Sequence, residues 1–155
     1  EHAQMIYEAG LLHDIGKIAI PENIITKPGQ LSDEEYGIMK THVEHSIAII
    51  RHLPSLDYLI PAVVGHHERW DGRGYPRGIT GEELPIGARC LAVADAFDAI
   101  TSVRSYKPSY PVEYACQELR KQAGRQFDPT LAELFVKLVE NGTITVENAA
   151  QGMKN

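Results

Sequence analysis

The stretch IGARCLAVADAFDAITS, Ile86–Ser102, decides the fold. Wound at about 3.6 residues per turn, it has apolar side chains on every face: Leu91, Ala92, Val93, Ala94, Ala96, Phe97, Ala99 and Ile100. A helix that is apolar all round belongs inside a bundle, not on its surface. Yet Asp95 and Asp98 sit in its middle, spaced so that they share a face. Two carboxylates in such surroundings need cations beside them. The prediction is a central helix that carries a cation-binding face.

On both sides of this segment the pattern stays helical. EHAQMIYEAGLLHD has Met5, Ile6, Ala9 and Leu12 at helical spacing. LSDEEYGIMK begins with Ser32 and Glu35 placed as a capping box, and THVEHSIAIIRHL continues helical to Pro54. LDYLIPAVVGHHERW reads as another helix with Pro61 in its first turns. PVEYACQELRKQAG has Pro111 at the first helical position. DPTLAELFVKLVENG has Asp128 as N-cap, Pro129 in the first turn and Gly142 past the end. PENIITKPGQ and DGRGYPRGITGEELP read as loops, and only TITV, Thr143–Val146, alternates like a strand. The expected fold is all-α: one domain over residues 1–155, a bundle of six to seven helices.

Composition narrows the function. The formal charge of -6 argues against a broad nucleic-acid-binding face, although local cations and metal ions can still hold a small anion in a cleft. No apolar run is long enough to span a bilayer, and the N-terminus has no basic-then-apolar signal, so a cytoplasmic setting is expected. Cys90 and Cys116 stand singly in apolar helical segments and read as core residues in a reducing compartment, not as a disulfide.

The histidines carry the chemistry. In LLHDIGKIAIP, Leu11–Pro21, His13, Asp14 and Lys17 interrupt an apolar run. Either Asp14 caps a turn beside a core histidine, or the pair holds a metal. His42 and His45 share a helix face, and each is a candidate ligand or a surface residue. His66 and His67 would point about 100° apart on a helix, so they are one buried and one exposed residue, or one ligand each for two ions. With Asp95 they form an imidazole and carboxylate set suited to Mn, Fe, Ni or Zn rather than Ca. Helix bundles build dinuclear sites from such residues, and a two-metal site activates water and clamps a phosphoryl group.

Together HDIGK (13–17), HHERWDGRGYP (66–76) and AVADAFDAITS (92–102) resemble the HD-GYP domain, a branch of the HD metal-dependent phosphohydrolases. KPGQL and GRQFDP also stand where that family has them, and the resemblance runs from about Leu11 to Phe135. It implies hydrolysis of cyclic di-GMP, a bacterial second messenger, to linear pGpG or GMP. It implies two or three divalent transition metal ions, Fe or Mn. By motif position the ligands are His13, Asp14, His42, His66, His67 and Asp95. Lys17 faces a substrate phosphate, with Asp14 beside it in the catalytic centre. Arg104 and Lys107 in SVRSYK grip phosphate, Tyr75 of the Gly74–Tyr75–Pro76 loop contacts substrate, and Asp98 supports the site. The same loop is linked in the family to contacts with diguanylate cyclase domains.

The sequence departs from the family in several places. The family's upstream metal-binding His, with a Glu in three-metal members, has no counterpart. His2 would lie roughly 16 Å from His13 along a continuous helix. The expectation is a domain lacking the family's N-terminal helix, part of a larger signalling protein, with uncovered apolar surface that favours a homodimer. His45 is an additional histidine beside His42, and Val103 and Ser105 replace the family's usual Asp and Pro. Two alternatives stand beside the phosphodiesterase: a catalytically impaired module that binds nucleotide or protein, and another HD-type nucleotide phosphohydrolase.

Overall fold

In the computed structural model, which describes residues 2–103 and 108–146, the regular elements are helical. Eight α-helices follow in order among the described residues: α1 (His2–Leu12), α2 (Glu22–Ile25), α3 (Asp33–Lys40), α4 (His42–Ile50), α5 (Ile60–Gly65), α6 (Ile86–Thr101), α7 (Val112–Gln122) and α8 (Pro129–Glu140). Because α2 is a single turn, the bundle matches the expected size. Short 3-10 segments lie at Ile15–Ala19, Pro54–Leu59 and Gly81–Glu83. None of the helices is long and apolar enough to cross a membrane.

The central position of α6 follows from its all-round apolar surface. One side supplies Leu91 to a cluster with Ala9 of α1, Ile50 of α4, Leu59, and Ala62 and Val63 of α5. Another side supplies Val93 and Phe97 to a cluster with Ala115, Cys116 and Leu119 of α7 and Ala132 and Val136 of α8. The helix therefore joins two cores, and its remaining face is left for Asp95. Asp128 caps α8 by accepting from the Thr130 and Leu131 amides at 2.9 and 3.2 Å. It also accepts from Arg89 Nη1 of α6 at 2.7 Å, so one buried carboxylate both starts α8 and docks it. The Ser32–Glu35 capping box forms as expected. Both cysteines are free, Cys116 buried and Cys90 half-buried.

Several expectations need correction. TITV forms no strand; the Ile144 amide instead bonds the Leu138 carbonyl and closes the end of α8. PENIITKPGQ contains the single-turn α2, and Pro111 is the N-cap of α7 rather than its first helical residue. The helix expected to run on from α3 breaks at Thr41, whose hydroxyl and amide both bond the Ile38 carbonyl and tighten the turn. LDYLIPAVVGHHERW is split: α5 stops at Gly65, and His66 and His67 lie in a turn. Past that turn the chain bonds elsewhere, through the Trp70 amide to the Gln126 carbonyl and the Asp71 amide to the Arg125 carbonyl.

Candidate metal centre

The HDIGK segment leaves α1 and folds as a 3-10 turn against the start of α4. The approach is so close that a Cβ on Gly16 would overlap the His42 carbonyl oxygen and the Ser46 nitrogen. Ser46 fixes it. Its fully buried hydroxyl accepts from the Gly16 amide at 2.8 Å and donates to the His13 carbonyl at 2.9 Å. The backbone that carries His13 and Asp14 is thereby stapled to the helix that carries His42.

Three imidazoles are oriented by one device. His13, His42 and His66 donate Nδ1–H to the carbonyls of Gly10, Met39 and Val63, at 2.7, 2.7 and 2.6 Å. A carbonyl can only accept, so Nδ1 carries the proton and Nε2 offers its lone pair to the centre. The Asp14 carboxylate lies among these atoms. His42 Nε2 and His66 Nε2 are 3.3 and 3.8 Å from Oδ1, and His13 Nε2 is 3.4 Å from Oδ2. His13 Nε2 is also 3.5 Å from Asp95 Oδ1, and His67 Nε2 is 3.1 Å from His42 Nε2.

Two ligand groups result: Asp14, His42, His66 and His67, and His13, Asp14 and Asp95, each with its ligand atoms within 4.8 Å of one another. Asp14 belongs to both. His13 Nε2, Asp14 Oδ1 and His66 Nε2 are buried without a hydrogen-bond partner. Buried polar atoms are almost always partnered, and all three belong to the two ligand groups. Divalent ions would satisfy them, and the nitrogen and oxygen donors suit a first-row transition metal. The adjacent His66 and His67 rings tilt toward each other with centroids 4.0 Å apart, so both reach the same group, as the turn after α5 allows.

Electrostatics follow the packing. Burial opposes charge on Asp14, but His42, His66, His13 and Lys17 overcome it and hold the carboxyl far below the usual range. Burial, with His66 and His42 beside it, pushes His67 down to about 3 and keeps its ring neutral. His13 also meets a burial penalty, but the Asp95 carboxylate 3.5 Å away and the charge of Asp14 raise it overall. The same contact outweighs burial at Asp95 and lowers it.

A cavity of about 450 Å³ opens over this cluster, with Lys17, Tyr36, Tyr75, Arg69, Arg73 and Gln126 among its walls. Lys17 Nζ sits 2.9 Å from Asp14 Oδ2. The Tyr75 ring stacks on His67, centroids 4.9 Å apart and planes 16° apart. Tyr75 is held there by its loop. Glu68, only 3% exposed, accepts from the Arg77 and Gly78 amides at 2.6 and 2.9 Å. A Cβ on Gly74 would stand 2.5 Å from the Arg69 nitrogen, Glu68 Cα and the His67 carbonyl oxygen, so the loop closes tightly only around glycine. Asp71 receives both Arg69 Nε and Nη2, at 3.0 and 2.8 Å, and the Arg73 amide at 3.1 Å.

The structure thus brings together His13, Asp14, Lys17, His42, His66, His67, Tyr75 and Asp95. Asp98, one turn further along α6, is exposed, accepts from Ser102 Oγ at 2.8 Å and stands outside the ligand groups. His45 is exposed on α4, also outside them, as is His2. Arg104 and Lys107 lie outside the described residues. Sequence reasoning missed Ser46 and Glu68. Ser46 lies one turn beyond His42 on the same face, which was a usable signal, whereas the acceptor role of Glu68 depends on how its loop closes.

The HD domain family model matches residues 1–131, and the chain belongs to that family. Within it, the HDIGK and HHERWDGRGYP motifs and the curated relatives mark the HD-GYP branch. One relative is a 3′3′-cGAMP-specific phosphodiesterase 2 from Vibrio cholerae, 45% identical over 139 residues, covering 87% of this chain and 26% of that protein. Another is a cyclic di-GMP phosphodiesterase from Thermotoga maritima, 46% identical over 132 residues, covering 84% of this chain and 36% of that protein. A crystal structure of a cyclic GMP-AMP-specific phosphodiesterase from V. cholerae has the same fold, with a TM-score of 0.67 at 22% identity, covering 90% of this chain and 38% of that one. The chain therefore spans about a quarter to a third of the length of these curated relatives.

Proposed function

We propose that this domain hydrolyses the phosphodiester bonds of a cyclic dinucleotide, cyclic di-GMP first, to pGpG or GMP. The observation that carries the reading is the pair of ligand groups sharing Asp14 on the floor of a cavity, with Lys17 beside them. In this reading Asp14, His42, His66 and His67 hold one divalent ion, and His13, Asp14 and Asp95 hold a second; Fe and Mn fit the mixed donors best. Bound ions supply activated water at neutral pH and neutralise phosphoryl oxygens.

The chain's own residues do the rest. Lys17 places its ammonium at the cavity floor, where it can leave Asp14 for a phosphate oxygen and offset the charge that develops there. Tyr75 covers His67 and bounds the space a substrate can occupy. Arg104 and Lys107 are assigned to the same phosphate, and Asp98 to supporting the end of α6. The GYP loop is a candidate contact for diguanylate cyclase domains. We further assign the domain to a larger signalling protein in the cytoplasm, acting as a homodimer.

A 3′3′-cGAMP substrate is the second reading, favoured by the relative that is 45% identical. The test is to incubate the chain, supplied with Mn or Fe, with cyclic di-GMP, 3′3′-cGAMP and GMP, and to separate products by chromatography. Cleavage of either cyclic dinucleotide supports phosphodiester hydrolysis and ranks the two substrates. Release of guanosine from GMP alone would instead indicate an HD-type nucleotidase, and binding without turnover an impaired module.

A further inference from the structure

We propose that Tyr36 of α3 is the platform on which a purine base flanking the scissile phosphodiester stacks. The inference rests on the function proposed above. Tyr36 lines the cavity over the ligand cluster, and 47% of it is exposed. No residue of α3 is fully buried, so the ring has no core to fill. It instead meets Tyr75 in a T-shaped contact, with centroids 6.2 Å apart and planes at 87°, and Tyr75 lies flat on His67. Aromatic surface thus runs from a candidate metal ligand to the rim in two ring contacts.

A nucleotide whose phosphate is held at the cluster has a base one sugar away. Every base has a π face, so stacking recognises it without reading its edge. Lys40 Nζ stands 5.0 Å from the Tyr36 ring centre and 5.8 Å from that of Tyr75. A Tyr–Lys pair four residues apart is ordinary on a helix surface. Here Tyr36 lines the cavity, while Lys40 lines a neighbouring pocket beside Tyr75 and Pro76 and holds the ring from that side by a cation–π contact. The start of α3 is anchored as well: Glu35 closes the capping box and pairs with Lys27 Nζ at 2.5 Å, directly before Tyr36.

The test is a fluorescence titration of the purified chain with a phosphorothioate cyclic dinucleotide carrying 2-aminopurine in place of one guanine. Stacking on an aromatic ring quenches 2-aminopurine, and quenching read at saturating protein reports that ring contact separately from any loss of affinity. Wild type and Tyr36→Phe should quench the probe. Tyr36→Leu should lose most of the quenching and bind roughly 5- to 100-fold more weakly. Equal quenching and affinity in Tyr36→Leu would overturn the proposal, as would quenching lost only in Tyr75→Leu. Should the Leu variant not fold, Tyr36→Trp decides: it should bind at least as tightly as wild type, and weaker quenching there overturns the proposal. A wild-type chain that does not bind the probe refutes the functional reading and this proposal together, a pattern distinct from failure of the Tyr36 variants alone.

Discussion

His67 Nε2 faces His42 Nε2 at 3.1 Å, while the Nδ1 proton of His42 is committed to the Met39 carbonyl. In their neutral forms the two facing nitrogens therefore share one proton at most. A cation between them would use both lone pairs. That arrangement makes sense as half of a metal site and is poor as a purely structural contact.

Because Asp14 belongs to both ligand groups, ion loss should depend on the residue removed. Elemental analysis should find at least two divalent transition ions per wild-type chain purified without chelator. Asp14→Ala should lose both, while Asp95→Ala and His67→Ala should each lose one. Full loading of Asp14→Ala would exclude the shared carboxylate.

Ser46 should matter far beyond its size. Its hydroxyl satisfies one donor and one acceptor of the HDIGK backbone. Ser46→Ala leaves both buried and should lower unfolding free energy by about 2 kcal/mol in urea titrations. Gly16→Ala should be worse, about 3 kcal/mol or more, because the added carbon meets backbone rather than a mobile side chain. A wild-type denaturation midpoint in either variant would contradict the staple.

Glu68 predicts a local effect. Glu68→Ala removes the acceptor of two loop amides and should cost about 2–3 kcal/mol. Glu68→Gln keeps one amide oxygen and should recover part of that loss. Proteolysis should cut the Ala variant first between Arg73 and Arg77. Cleavage elsewhere at wild-type rates would remove Glu68 from its role as loop anchor.

Asp71 gives a pH dependence with a definite sign. The Arg69 bond, opposed by slight burial, lowers its carboxyl to about 2 from an ordinary 3.8. A depressed acid stabilises the fold above its unfolded value, and that contribution is lost as pH falls through the folded one. The pair is partly exposed, so the effect should stay below about 1 kcal/mol. Asp71→Asn should be less stable than wild type at pH 6, and the difference should shrink between pH 4 and 2. A constant difference across that range would assign the Asp71 contribution to shape alone.

The helices and the His and Asp residues that cluster were largely legible in the chain because both rest on local signals. The all-round apolar face of Ile86–Thr101 identified α6, and the charges within it and within Leu11–Pro21 marked candidate ligands. Where the backbone turned was not legible. His66 and His67 read as helical because Pro61 to Gly65 are helical, yet the next residues bond to the distant Arg125 and Gln126 carbonyls. Glu68 and Ser46 were overlooked for the same reason, since their partners are backbone groups placed by loop closure or by a contact 30 residues away. The TITV alternation misled because an isolated four-residue run has no second strand to pair with.

The lack of any fully buried residue in α3 has a consequence for how such a domain can diversify. The candidate ligands lie just past the end of α1, on α4 and α6 and in the turn after α5, and those helices pack into the two cores. The proposed base platform, by contrast, is carried by a helix that adds no side chain to either core. If Tyr36 receives a base as proposed, side-chain changes on α3 would retune which molecule is accepted at little cost to the cores, so selectivity is free to drift on a chemically constant floor.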